Sequence, residues 1–114
     1  MSATNGIDRA RGMLGFAMRA GKVVIGTELV CRAMPKKGKD ALRLVLVSSS
    51  ASPATKKKIT VKCEYYGIRV TEINLDTSEL GRLLGKTSTP ATVGITDDGF
   101  AEEIVRALSS PIKQ

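Results

Sequence analysis

The chain predicts an α/β domain with helices on both faces of one central sheet. Three observations carry that expectation. Apolar residues switch repeatedly between helical spacing and short β-branched runs, in the order α, β, α, β, α, β, α, β, α, and such alternation builds layered α/β domains. The length, 114 residues, suits one domain with a single core. Aromatics make up only 4% and Trp is absent, so that core is packed from Leu, Val, Ile, Met and Ala.

The elements follow in order. Residues 1–6 and 110–114 read as flexible ends of the single domain 1–114. Ile7, Ala10, Met13, Leu14, Ala17 and Met18 share one helical stripe, with Asp8, Arg9, Arg11 and Arg19 off it. Gly21 ends that helix. Val23-Val24-Ile25 is a short strand closed by Gly26. A second helix opens at Thr27, carries Leu29, Val30, Ala33 and Met34 as its stripe, and stops at Pro35. Pro35-Lys36-Lys37-Gly38-Lys39 is a basic loop.

Leu42 to Val47 is an apolar run broken only by Arg43, with the length of a buried strand. Ser52-Pro53 starts the next helix, serine as N-cap and proline at the first helical position. Ile59, Cys63 and Tyr66 form its buried face, and Gly67 ends it. Ile68, Val70 and Ile73 lie in the following strand. Ser78 caps a short helix carrying Leu80, Leu83 and Leu84, which Gly85 terminates. Lys86 to Pro90 is a loop and Ala91 to Thr96 a strand. Asp97-Asp98-Gly99 turns into the last helix, with Phe100, Ile104, Val105 and Leu108 on one side.

Charge is distributed unevenly. Residues 1–62 hold 13 Lys/Arg against 3 Asp/Glu, a balance of +10, and residues 63–114 hold 5 against 8, a balance of −3. A strongly basic half suggests a surface for a polyanion, most often nucleic acid. Enzyme classes fare poorly. Without any His, a serine triad on Ser48-Ser49-Ser50 has no base. Cys31 and Cys63 lack a partner at readable spacing and suit buried, reduced thiols. No metal-ligating cluster and no cofactor motif is present. Gly81-Arg-Leu-Leu-Gly-Lys-Thr87 imitates a phosphate-binding P-loop, but it has three residues between its glycines instead of four. It also runs from helix into strand, which turns the helix dipole and amides the wrong way. The N-terminus lacks a signal-peptide h-region and no apolar run is long enough to span a membrane, so a cytoplasmic, membrane-free protein is expected.

Two features remain as binding candidates. At Gly26-Thr27-Glu28 a strand ends and a helix begins, where glycine lets a ligand approach backbone closely and first-turn N–H groups suit a phosphate. Lys22 precedes that strand and Arg32 follows within the helix. The run Lys56-Lys57-Lys58 with Lys62 spans most of a helix circumference, so it sets the sign of the field more than it grips one partner.

Four blocks in this order carry a resemblance: Leu14-Gly-Phe-Ala-Met-Arg-Ala-Gly-Lys-Val-Val-Ile-Gly26, Leu44-Val-Leu-Val-Ser-Ser-Ser-Ala-Ser52, Cys63-Glu-Tyr-Tyr-Gly67 and Leu80-Gly-Arg-Leu-Leu-Gly-Lys86. From about Gly6 to Leu108 the chain resembles the bacterial YlxQ family, ribosomal-protein-like members of the kink-turn RNA-binding superfamily. The resemblance implies a three-layer α/β/α sandwich with a four-stranded mixed central sheet. It implies a binding site and no catalytic one, formed by the helix start after the first strand and the loop before the last. In this chain those are Gly26 to Arg32 and Lys86 to Pro90.

The superfamily's archaeal pattern at the helix start is Gly-Thr-Asn-Glu-x-x-Lys. Gly26 and Thr27 match it, Arg32 takes the basic position, and Glu28 and Leu29 replace the Asn and Glu that read G·A edges. The resemblance therefore assigns Gly26 and Thr27 to close backbone approach and Arg32, Lys22 and Lys86 to phosphate. Thr87 and Ser88 supply hydroxyl contacts, and Glu28 and Leu29 form an altered reader. The expected protein is a non-catalytic RNA-binding monomer. Its partner is a bent, structured ribosomal or messenger leader RNA, and the ribosome itself is a further expected partner. The rival expectation is a protein-binding adaptor on the ribosome or another RNA–protein particle, since one fold serves many functions.

Overall fold

A computed structural model describes residues 6–86 and 88–109. Most of the ends expected to be flexible, 1–5 and 110–114, and the loop residue Thr87 lie outside the described residues. Helix α1 spans Gly6–Arg19, strand β1 Val23–Ile25 and helix α2 Thr27–Ala33. A 3-10 turn at Gly38–Asp40 breaks the basic loop. Then come β2 Leu44–Ser48, α3 Pro53–Tyr66, β3 Val70–Ile73, α4 Thr77–Leu83, β4 Thr92–Ile95 and α5 Asp98–Ser109.

Local chemistry explains most boundaries. Ser52 caps α3 as expected, its Oγ accepting from the Thr55 N–H at 3.1 Å, and Gly67 closes the helix in the left-handed conformation with φ 70°. Three expectations about these elements need correction first. Gly6, expected in the loose end, opens α1; a Cβ there would strike the Ala107 carbonyl, so glycine lets α1 lie close against α5. The cap of α4 is Asp76, not Ser78. Its carboxylate accepts from the Glu79 N–H at 2.8 Å while the Glu79 carboxylate accepts from the Asp76 N–H at 3.1 Å, a reciprocal box that serine two residues later cannot form. Tyr66, expected in the core, is 43% exposed; α3 is buried through Ile59 and Cys63, and Tyr66 borders an open cleft at one end of the sheet.

The sheet order is β1-β4-β2-β3, with β2 and β3 parallel and the β1–β4 and β2–β4 pairs antiparallel. Every residue of β2 is buried, as a central strand covered on both faces requires. Its side chains alternate between layers. Leu44 and Leu46 join Leu14, Leu80 and Ile104 from α1, α4 and α5, while Val45 and Val47 join Val30, Ile59 and Cys63 from α2 and α3. The result is a three-layer α/β/α sandwich with a four-stranded mixed sheet.

Strand direction decides where the candidate residues meet. Because β4 is antiparallel to β1 and β2, Thr92 at its start pairs with Val47 near the end of β2, and Val93 pairs with Ile25 at the end of β1. The chain leaving β1 and the loop entering β4 therefore share one end of the sheet.

Candidate functional site

Gly26 builds the junction. Its φ of 106° and ψ of 143° lie in a region that glycine alone adopts freely. In that conformation its N–H donates to the Thr92 carbonyl at 2.9 Å, and its own carbonyl accepts the Val30 N–H at 2.9 Å to close the first turn of α2. The chain thus passes from sheet to helix with no linker. Gly26 offers no capping side chain, so the first-turn N–H groups of Thr27, Glu28 and Leu29 stay available to an outside acceptor. The starts of α3, α4 and α5 differ, being capped by Ser52, Asp76 and Asp97.

A second bond ties the junction to the start of β4. Thr27 Oγ1 and Thr92 Oγ1 lie 2.8 Å apart, and Thr92 is fully buried at 0% exposure. The loop itself is folded back over α4. The Lys86 N–H donates to the Gly81 carbonyl at 2.8 Å. A Cβ on Gly81 would strike the Ser88 carbonyl, so glycine in the middle of this helix is what admits the loop. Gly81 lies inside α4 and Gly85 just after its end, with β4 following, so the P-loop imitation offers a helix C-terminus where phosphate needs an N-terminus.

The structure joins Gly26 and Thr27 to Thr92 at the start of β4, and separately packs the loop bearing Lys86 and Ser88, both exposed, against Gly81 of α4. Thr87 lies outside the described residues. Glu28 and Arg32 are exposed and 4.0 Å apart, an i,i+4 pair in solvent that is weak enough for Arg32 to turn to an external anion. Leu29 is 51% exposed, so the buried stripe of α2 is Val30, Ala33 and Met34 without it. One residue along a helix turns the side chain about 100°, which carries Leu29 off the core face. Lys22 is not at the junction. It sits at the far end of β1, its carbonyl accepting the Thr96 N–H at 2.9 Å, about 13 Å of strand from Gly26.

The other candidates resolve into structural roles. Ser48 Oγ donates to the Leu75 carbonyl at 2.7 Å and accepts the Ser50 N–H at 3.1 Å, and Ser50 Oγ accepts the Thr77 N–H at 3.0 Å. These serines stitch the loop after β2 to the loop after β3. Cys31 and Cys63 are free thiols; burial, then the neighbouring Cys31, pushes Cys63 up to about 11. Among the described residues no group of His, Cys, Asp and Glu could hold a metal ion.

Charge follows the layers. Residues 27–40 and 53–66, which contain α2, the basic loop and α3, hold eight Lys/Arg and three Asp/Glu, a balance of +5. Helices α1, α4 and α5 hold five of each. Lys56 is engaged, donating to the Ser49 carbonyl at 2.9 Å and pairing with Glu72 at 3.6 Å, whereas Lys57, Lys58 and Lys62 are exposed without an acidic partner among the described residues.

Thr92 and Gly81 are the residues that sequence reasoning missed. Both had a signal: a polar residue opening an otherwise apolar strand, and a glycine inside a leucine-rich helical stretch.

The fold and this junction define a small α/β/α domain whose uncapped, glycine-led helix start borders a basic helical layer. The chain belongs to the ribosomal protein L7Ae/L30e/S12e/Gadd45 family, whose model matches residues 8–105. It is 38% identical over 96 residues to the RNA-binding protein YlxQ of Bacillus subtilis, covering 84% of this chain and 91% of that one. The YlxQ protein of Enterococcus faecium is 35% identical over 96 residues, covering 83% and 86%. A protein of unknown function from Bacillus halodurans has the same fold with a TM-score of 0.78 and 32% identity, over 90% of this chain and 98% of that one. The Giardia lamblia 15.5kD RNA binding protein shares the fold alone, with a TM-score of 0.72 and 15% identity over 94% and 88%.

Proposed function

We propose that this chain is a non-catalytic RNA-binding protein that holds a bent, kink-turn-like structured RNA across the seam between α2 and residues 86–90. The carrying observation is the seam itself: the Gly26 N–H on the Thr92 carbonyl and the Thr27–Thr92 hydroxyl pair lock a helix start to the first residue of β4, into which the loop leads, at one end of the sheet. Membership of a ribosomal-protein family and the printed names of its relatives support RNA as the polyanion. So does the basic layer of α2 and α3, which raises the rate of encounter with any polyanion.

In this reading the free N–H groups after Gly26 and the side chains of Arg32 and Lys86 hold phosphates. Ser88 adds a hydroxyl contact. Leu29 offers its exposed face to a splayed base, and Glu28 stands ready to accept from a base amino group. Lys22, at the far end of β1, adds only to the field. A bent or unpaired RNA is the target, because a regular A-form major groove is too narrow for side chains to read.

Fluorescence anisotropy with a kink-turn RNA at several salt concentrations tests the reading. Contact with about four phosphates gives a slope of log affinity against log salt near −3 to −4. Absence of binding to any structured ribosomal or leader RNA at low salt sinks it.

A further inference from the structure

We infer a second contact for the same RNA, resting on the reading above: a basic cleft at the opposite end of the sheet takes one unpaired nucleotide, base against Tyr66 and phosphate between Lys36 and Lys37. The cleft is about 520 Å³ and opens between the loop after α2 and the end of α3. That volume lies in the range of about 300–1,000 Å³ that holds small ligands. Lys36 and Lys37 line it, are exposed, and have no acidic partner among the described residues. Arg43 shapes the cleft instead of gripping a ligand. Its guanidinium donates to the Gly38 carbonyl at 3.1 Å, holding the loop, and meets Asp98 at 3.5 Å.

Tyr66 gives the cleft its stacking surface. Its ring is 43% exposed at the edge of the cleft, and it meets the still more exposed Tyr65 edge to face at 4.9 Å and 88°. Lys58, Lys62 and Tyr66 are exposed at positions i, i+4 and i+8 of α3, so they form one stripe that leads into the cleft. Lysines interleaved with an accessible aromatic ring are what an unpaired strand needs: charge for its phosphates and a π-face for a base. Met34, Pro35, Leu42 and Ile68 add apolar surface for a base, and the exposed Lys36 and Lys37 give the cleft the positive charge that a nucleotide's phosphate needs.

Position links the two contacts. Thr92 faces the end of β2 at Val47, whereas Arg43 precedes its start at Leu44. Helix α2 connects them, starting at the seam and ending at Met34, which lines the cleft. That run rises about 11 Å, roughly three nucleotide steps at about 3.4 Å each. Arg32 lies along it. A strand leaving the seam can therefore reach Tyr66 while staying on the basic layer.

The test compares a bulged RNA hairpin with the same hairpin carrying a single-stranded tail of six adenosines. Anisotropy titrations use the wild type, Tyr66→Ala, Tyr66→Phe and the Lys36→Ala/Lys37→Ala double variant. The tail should tighten wild-type binding about tenfold. Tyr66→Ala should lose about 5- to 10-fold on the tailed RNA, most of what the tail adds, and stay within about twofold on the bare hairpin, where its site is unoccupied. Tyr66→Phe should behave as wild type, since it keeps the ring. The lysine pair should flatten the salt slope by about 0.7 on the tailed RNA only, one single-strand phosphate being lost. A tail that adds nothing while the bare hairpin still binds overturns this contact and leaves the seam reading standing. Equal losses for Tyr66→Ala and Tyr66→Phe also overturn it. Wild-type protein that binds neither RNA sinks the seam reading, and this contact with it.

Discussion

The Thr27–Thr92 hydroxyl pair makes an asymmetric prediction. Valine has the shape of threonine without the hydroxyl, so each substitution removes one partner and leaves the other behind. Thr27→Val orphans Thr92 Oγ1, which is fully buried and has no other side-chain partner among the described residues. An unsatisfied buried hydroxyl costs about 1–3 kcal/mol. Thr92→Val orphans Thr27 Oγ1, which is only partly buried and can turn to water. That costs about 0.5–1.5 kcal/mol, the net worth of one hydrogen bond. The double variant leaves no orphan and should lie closer to wild type than Thr27→Val does. Urea unfolding of the four proteins gives the cycle, with an interaction energy of about 1 kcal/mol in that favourable direction. At this chain length about 2 kcal/mol lowers Tm by roughly 8 °C, so thermal melts should rank the variants identically. Strict additivity, or Thr92→Val costing more than Thr27→Val, would refute the argument that burial sets the cost.

Three further outcomes are expected. Gly81→Ala drives a Cβ into the Ser88 carbonyl, so the loop must move; urea midpoints should report a loss of about 1–3 kcal/mol, and an unchanged midpoint would count against the close packing. Glu28→Asn with Leu29→Glu should change stability by less than about 0.5 kcal/mol, since both sites are exposed, and should raise affinity for a standard kink-turn in anisotropy titrations. Equal affinity before and after would remove both positions from the RNA contact. The Cys63 thiol ionises near 9.0 when unfolded and near 11 when folded, so its protonated form is the one the fold favours. Its contribution is complete below pH 9 and is lost as pH rises toward 11; urea midpoints of wild type should fall more steeply over that window than those of Cys63→Ala, and parallel profiles would refute it.

The architecture was legible because its signals are local. β-Branched runs, helical stripes and the Ser52-Pro53 and Gly67 boundaries need no tertiary information. The errors lie where tertiary packing decides. Leu29 and Tyr66 continue apolar stripes by spacing alone, yet α2 and α3 meet the core along narrower faces than those stripes. Ser78 and Asp76 are both good caps in sequence, and only the position of Glu79 selects between them. The strand-to-helix junction at Gly26 and Thr27 could be placed by pattern. The far position of Lys22 follows from strand direction, and the role of Thr92 from a pairing 65 residues away in the chain. No spacing rule reaches that distance.

The departures at Glu28 and Leu29 fit the charge distribution when energies are compared. A side chain that hydrogen-bonds a base edge with two bonds discriminates by about 1–3 kcal/mol. Leucine forfeits that term, and glutamate can accept but cannot donate. Phosphate contacts carry no base identity, yet they supply much of the affinity. A layer at +5 beside a reader with fewer hydrogen-bonding groups therefore shifts the balance from edge reading toward backbone holding. Under the proposed reading the bend of the RNA then becomes the main thing recognised, because phosphate contacts follow the path of the backbone and not the identity of its bases. If the nucleotide cleft at Tyr66 also engages, it adds a base contact that depends on stacking and tolerates any base. Both terms push the same way, toward strong dependence on salt and shape and weak dependence on the identity of any single base.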